Sequence, residues 1–118
     1  MDSKEKALKI AKILDNKKAR DIRILEIGKV SNLGDYFVIC SASSNVQAHA
    51  LSDEVKEKLF DENEIDASHV EGYAGGSWIL MDYNDVLLHI FLDETRAFYD
   101  IERLWHDAPE IKFEQQLD

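Results

Sequence analysis

Four histidines are the residues of this chain whose chemistry could include metal binding or acid–base catalysis. They fall on a predicted helix, two predicted strands and a predicted loop, without the close spacing that builds a metal site on one element. His89 lies between Leu88 and Ile90, which favours a hydrogen-bonded, partly buried ring over a catalytic base, unless a pocket places Asp82 beside it. We predict no metal site from His49, His69, His89 and His106.

Three carboxylates near the ends of the last two predicted strands could form a magnesium site, because Mg²⁺ prefers oxygen ligands. These are Asp82, Asp85 and Asp93. Structural roles explain two of them, since Asp85 suits a turn and Asp93 suits the start of a helix. We therefore favour turn and cap roles over a metal.

Polar residues before the second predicted helix could hold an anion, because the start of a helix is electropositive. The segment lacks the glycines and lysine of a phosphate-binding loop, so helix capping is the favoured interpretation. Cys40 lies inside a predicted strand and Ser77 has no evident base beside it. The sequence therefore predicts no catalytic residue and no cofactor.

Aromatic residues are concentrated in the last third of the chain, where acidic residues are also in excess. Aromatic side chains on a surface often anchor protein interfaces, although core packing is the default interpretation for each one. The cluster comprises Tyr73, Trp78, Tyr83, Phe98, Tyr99 and Trp105.

Hydrophobic periodicity predicts the elements that must position these residues. A capping box at Asp2 and Glu5 begins an amphipathic helix, and a second capping pattern at Ser44 begins a helix that ends near Asn63. Strands are predicted at residues 22–27, 36–40, 69–71, 78–83 and 86–92, the last two joined by a turn at Asn84 and Asp85. Asp93 is expected to cap a third helix with Phe98, Ile101 and Leu104 on one stripe.

The order α-β-β-α-β-β-β-α predicts one α/β domain, a mixed five-stranded sheet flanked by helices. The domain is expected to span residues 1–109, and residues 110–118 are expected to form an acidic tail without a core pattern.

Composition narrows the class of partner. The 118 residues have a formal net charge of −10, which disfavours general nucleic-acid binding because a phosphate backbone would be repelled. A single cysteine favours a reducing compartment. The apolar runs are far shorter than the roughly 20 residues of a membrane-spanning helix, and the N-terminus has no targeting pattern, so we expect a cytoplasmic protein.

Several motifs together resemble the ribosomal silencing factor family, also called the Iojap-like family. The resemblance follows the family's order through nearly the whole predicted domain. It is carried by Asp35-Tyr36-Phe37-Val38-Ile39, Ser43-Ser44, Gln47, Glu71-Gly72, Gly76, Trp78-Ile79-Leu80-Met81-Asp82, Asp85-Val86, His89, Arg96, Phe98-Tyr99, Glu102 and Leu104-Trp105.

This resemblance implies a regulator without enzymatic activity. Such a protein binds the fourteenth protein of the large ribosomal subunit on its joining face, blocks docking of the small subunit, and lowers translation when nutrients are scarce. It also implies a link to large-subunit assembly and a homodimer when free. No sequence-specific nucleic acid and no membrane are expected as partners.

The family's fold resembles that of nucleotidyltransferases, so the alternative is a nucleotide-binding enzyme of that type. Its site would need Gly-Ser at a helix start and two carboxylates alternating on the next strand. Here Asp35 is solitary and no Asp-x-Asp pair occurs, which disfavours the alternative.

One face of the strand at residues 78–83 is the candidate partner-binding surface. Side chains alternate along a strand, so Trp78, Leu80 and Asp82 share one face, while Ile79, Met81 and Tyr83 share the other. The first face combines a large aromatic with an acid, a combination suited to an interface anchor. The predicted partner-binding residues are Glu71, Trp78, Leu80 and Asp82, with Tyr83 extending the patch at the hairpin end.

Overall fold

The computed structural model describes residues 1–116. Its helices are α1 (Ser3–Asn16), α2 (Asn45–Asn63), α3 (Asp93–Tyr99) and α4 (Ile101–Leu104), with a short 3₁₀ helix at Ile27–Lys29. Its strands are β1 (Arg20–Leu25), β2 (Tyr36–Ala42), β3 (His69–Glu71), β4 (Trp78–Asp82), β5 (Val86–Leu92) and β6 (Glu110–Ile111). No helix within these residues is both long and apolar enough to cross a membrane.

The first two helices begin at the predicted capping residues, and α2 ends at Asn63 as predicted. The backbone N–H of Glu5 donates to the Asp2 carboxylate at 2.8 Å, and the Asp2 N–H donates back to Glu5 at 3.2 Å, which completes the capping box. Ser44 caps α2 by accepting from the Gln47 N–H at 3.1 Å. The apolar stripe of α1 is fully buried, so the packing of this amphipathic helix agrees with the prediction from its capping box and periodicity.

The strands form one mixed sheet in the order β3-β4-β5-β2-β1-β6. The neighbours β2 and β5 run parallel, with Tyr36 opposite Val86, and the other pairs run antiparallel. The α/β fold class is confirmed, with six strands where five were predicted. The predicted two-residue turn is also present, since the Tyr83 N–H donates to the Val86 carbonyl at 2.9 Å across Asn84 and Asp85.

Helices α1 and α2 cover one face of the sheet, which we call the inner face. The main core lies there and includes Ile79 and Met81 of β4 and Cys40 of β2, all fully buried. The opposite, outer face has a second apolar cluster beneath the C-terminal segment, with Phe37, Phe91 and Ala108 among its buried members. Successive side chains along each strand therefore alternate between the inner-face core and the outer-face cluster.

The third helix was predicted to be continuous and to be capped by Asp93, and both predictions are wrong. Asp100 adopts a left-handed conformation with φ of +46° and separates α3 from α4. The Asp93 side chain pairs with Arg20 at 2.8 Å and makes no cap hydrogen bond. Phe98 and Leu104 of the predicted stripe are 81% and 71% exposed, whereas Ile101 packs against the apolar cluster of the outer face.

The segment after Pro109 corrects the prediction of a separate tail. Strand β6 pairs with β1, and Ile111 and Phe113 pack against the main core. Gln115 accepts from the Ile22 N–H at 2.8 Å and donates to the Ala19 carbonyl at 2.9 Å. Residues 110–116 are therefore part of the domain. Without β6, the backbone N–H and C=O groups at the edge of β1 would be unpaired.

Candidate partner-binding surface

Trp78 lies on the outer face of the sheet, where it packs against the second apolar cluster. Its half-buried ring lies between Phe91 and Tyr99, with both ring centroids 4.8 Å away. Its indole Nε1–H donates to Nδ1 of His89 at 3.2 Å. Packing and one hydrogen bond thus fix the orientation of this large side chain.

Leu80 continues the apolar surface next to Trp78. It lies opposite Glu71 on β3 and opposite His89 on β5, so these side chains share the outer face. Leu80 is half-buried, whereas Glu71 is exposed. The pair places an apolar side chain directly beside a carboxylate.

Two acids border the apolar residues. Glu71 lies 2.8 Å from the His69 ring, and Asp82 accepts a 2.7 Å hydrogen bond from the Asn84 N–H. Asp82 shares the face of Leu80, two residues before it on β4, and Glu71 lies opposite Leu80 on β3. Both acids therefore lie on the outer face. Glu71, Trp78, Leu80 and Asp82 therefore form one continuous surface, which we call the β4 patch.

Tyr83 is not part of the β4 patch, which corrects the prediction that it extends the surface. It follows Asp82 on the alternate side of the chain and is 1% exposed in the inner core. Its hydroxyl has no hydrogen-bond partner within residues 1–116, and burial raises its pKa. A side chain in this position cannot reach a partner on the outer face.

Tyr99, Phe98 and Leu104 extend the β4 patch, and sequence reasoning missed their exposure. Tyr99 contacts Trp78, and its ring lies 5.0 Å from that of Phe98. The aromatic clustering in the last third was the available signal, but periodicity placed Phe98 and Leu104 with Ile101 on the apolar stripe of one helix. Exposed apolar side chains in a contiguous patch mark an interaction surface.

An ion-pair cluster holds α3 and α4 on the sheet and so positions Tyr99. Arg96 donates to the Ser41 hydroxyl of β2 at 2.7 Å and to both carboxylate oxygens of Glu102. Arg23 of β1 also donates to Glu102, at 2.7 Å. Hydrogen bonding from Arg96, followed by that from Arg23, lowers the pKa of Glu102 despite its partial burial.

His89 is a buried ring beneath the β4 patch, as the sequence predicted for a hydrogen-bonded residue. It is 5% exposed and lies against Phe37, with ring centroids 4.5 Å apart. Burial lowers its pKa to about 4, so the ring is neutral at physiological pH. His89 lies opposite Leu80, whereas Asp82 lies opposite Leu87, two residues away on each strand. Asp82 makes no hydrogen bond with His89 within residues 1–116.

The polar residues considered for chemistry have structural partners. Asp85 pairs with Lys6 at 2.6 Å and Asp93 pairs with Arg20, so the three carboxylates considered for magnesium act separately. Over residues 1–116, no group of three or more His, Cys, Asp or Glu side chains is placed to hold a metal ion. Gln47 accepts from the Ser43 N–H at 2.6 Å, which occupies the region considered for an anion.

Comparison with known families identifies the chain. A family model described as "Ribosomal silencing factor during starvation" matches residues 1–118. The chain belongs to the ribosomal silencing factor family. The resemblance stated from its motifs is confirmed.

Individual relatives of this silencing-factor chain agree with the assignment. A Bacillus subtilis (strain 168) protein named ribosomal silencing factor is 40% identical over 95 residues, which are 80% of each chain. A crystal structure of a protein from Chromobacterium violaceum matches with a TM-score of 0.86 and 31% identity, covering 98% of this chain and 95% of that one. The Mus musculus protein named mitochondrial assembly of ribosomal large subunit protein 1 is 28% identical over 99 residues, 81% of this chain and 43% of the mouse chain.

Proposed function

We propose that this protein is a regulator that acts on the large ribosomal subunit and lowers translation. Membership of the silencing-factor family and the names of its relatives support this role. The nucleotidyltransferase alternative would need a group of carboxylates, and within residues 1–116 no group of three or more His, Cys, Asp or Glu side chains is placed to hold a metal ion. The proposed activity is binding, without a chemical step.

The β4 patch is the proposed contact with the subunit. Its half-buried Trp78 and Leu80 lie on the outer face, where α1 and α2 do not cover the sheet, and Glu71 and Asp82 flank them. This combination of an aromatic anchor and a charged rim carries the proposal. A net charge of −10 favours a basic protein over bare RNA as the surface that it meets.

The proposed mechanism is steric. The protein binds the fourteenth protein of the large subunit on the joining face, and its body, with a Cα radius of gyration of 12.9 Å, occupies space that the small subunit needs. One molecule then blocks one subunit, and no nucleotide is required. Starvation is the condition named in the family description, which supports a role under nutrient limitation.

Sedimentation of purified subunits tests this mechanism. Large subunits preincubated with the protein should fail to associate with small subunits, with inhibition complete near one molecule per large subunit. The protein should comigrate with large subunits, and neither ATP nor GTP should change the result. Inhibition at substoichiometric amounts, or a nucleotide requirement, would contradict a steric block.

The free protein is proposed to form a homodimer that covers the same apolar surface. Phe98, Tyr99 and Leu104 are exposed to water, and burying them between two copies would be favourable. Sedimentation equilibrium should give a dimer whose association weakens in Leu104→Asp, whereas Val46→Asp, on exposed α2 surface, should leave it unchanged. A role in large-subunit assembly is also proposed, since the mouse relative is named for it.

A further inference from the structure

The hydrogen bond beneath the β4 patch uses the only polar atom in the side chain of Trp78. Its Nε1–H donates to Nδ1 of His89 at 3.2 Å, within the cluster formed by Phe37, Phe91 and Tyr99. Because Nδ1 accepts, the ring proton of neutral His89 lies on Nε2. The indole therefore has no donor left for a partner.

Within residues 1–116, His89 makes no other polar contact that would explain its place in this cluster. Its Nε2 is buried and has no hydrogen-bond partner within residues 1–116. A buried donor without an acceptor is costly, and an aliphatic side chain would avoid that cost. The contact with Trp78 is the one polar interaction that the buried ring makes within these residues.

We propose that His89 is a positioning residue of the partner-binding surface, which holds the Trp78 indole in one orientation and leaves it apolar toward the partner. This inference rests on the proposed function. The matching pocket on the partner is therefore apolar and lacks a hydrogen-bond acceptor for the indole, with basic side chains facing Glu71 and Asp82. An indole held in advance loses little conformational freedom on binding.

Two substitutions at His89 separate positioning from packing. His89→Asn keeps an acceptor near the position of Nδ1, whereas His89→Leu keeps a similar volume without an acceptor. In ¹H–¹⁵N spectra, the indole signal of Trp78, assigned by its loss in Trp78→Phe, should stay close to the wild-type position in His89→Asn. The same signal should move in His89→Leu.

Binding to purified large ribosomal subunits supplies the second readout. His89→Leu should weaken binding about tenfold, and His89→Asn should weaken it less than about threefold. In the Trp78→Phe background, which lacks the indole donor, His89→Leu should have little further effect. A double-mutant cycle with this coupling distinguishes positioning from general destabilisation, which would act in both backgrounds.

Each contrary result has one meaning. Equal losses from His89→Leu in both backgrounds, or unchanged binding despite a moved indole signal, would overturn the positioning role alone. If the wild-type protein failed to bind large subunits, the proposed function would fail, and this inference with it.

Discussion

Arg96 and Glu102 form a two-point ion pair across the break between α3 and α4. The Nε–Oε1 distance is 2.8 Å and the Nη2–Oε2 distance is 3.0 Å, with the two side chains only 12% and 15% exposed. Such a paired geometry is among the stronger charged interactions in proteins. It connects both short helices to the sheet through Ser41 and so determines where Tyr99 meets Trp78.

Glu102→Gln should destabilise the domain, because it removes the charge partner of the mostly buried Arg96 and leaves Arg23 with Glu110 alone. We expect a loss of about 2 kcal/mol in the free energy of unfolding, measured by urea denaturation. Glu94→Gln, at an exposed position on α3, is the matched control and should change stability little. Equal stability of both variants would contradict the role given to this cluster.

Stability should depend on pH through His89. Its folded pKa of about 4 is below the ordinary histidine value of about 6.5, so the unfolded chain binds more protons between these values. Stability from this group is present above pH 6.5 and is lost as pH falls toward 4, by up to about 3 kcal/mol. In His89→Leu, the free energy of unfolding should depend less steeply on pH between 4 and 6.5. If the slope against pH were unchanged, the buried neutral ring would not be the cause.

Trp78→Ala and Met81→Ala should give opposite patterns. Trp78 faces outward, so its loss should weaken binding to large subunits by roughly 2 kcal/mol or more. Met81 is fully buried on the inner face, so its loss should cost about 2–5 kcal/mol of stability with binding retained while the protein is folded. Sedimentation binding and thermal melts measure both, and the reverse pattern would exchange the roles of the two faces.

Binding to large subunits should weaken as salt rises, because Glu71 and Asp82 are expected to meet basic side chains. Screening is already strong at about 0.1 M salt, where the Debye length is about 10 Å. The double variant Glu71→Gln, Asp82→Asn should show a smaller salt dependence. Glu57→Gln with Asp61→Asn removes the same charge from exposed α2 positions and should leave it unchanged. Tight binding to protein-free ribosomal RNA would oppose this interpretation.

Removal of residues 110–118 should destabilise the domain by at least about 2 kcal/mol, because Ile111 and Phe113 would no longer cover the core. The deletion also removes the bonds of Gln115 to Ile22 and Ala19. Lys112→Ala changes an exposed side chain of the same segment and is the control. A truncated chain as stable as the wild type would restore the interpretation of residues 110–118 as a separate tail.

The sequence by itself determined the elements whose signals are local. Capping residues and periodicity located α1 and α2, and alternation along β4 separated Trp78, Leu80 and Asp82 from Ile79 and Met81. These features depend on neighbours a few residues away, so they can be recognised without knowing the fold. The same alternation places Tyr83 on the face of Ile79 and Met81, which is the buried inner face.

Tertiary structure decided the features that depend on contacts distant in sequence. Asp100 adopts a left-handed conformation between α3 and α4, and Arg23, far along the chain, donates to Glu102 of α4. Phe98 and Leu104 are exposed on these two helices. Strand β6 exists because β1 offers it an edge, and Trp78 meets Tyr99 only after both helices dock. Periodicity reports which face of an element is apolar, but only packing decides what covers that face.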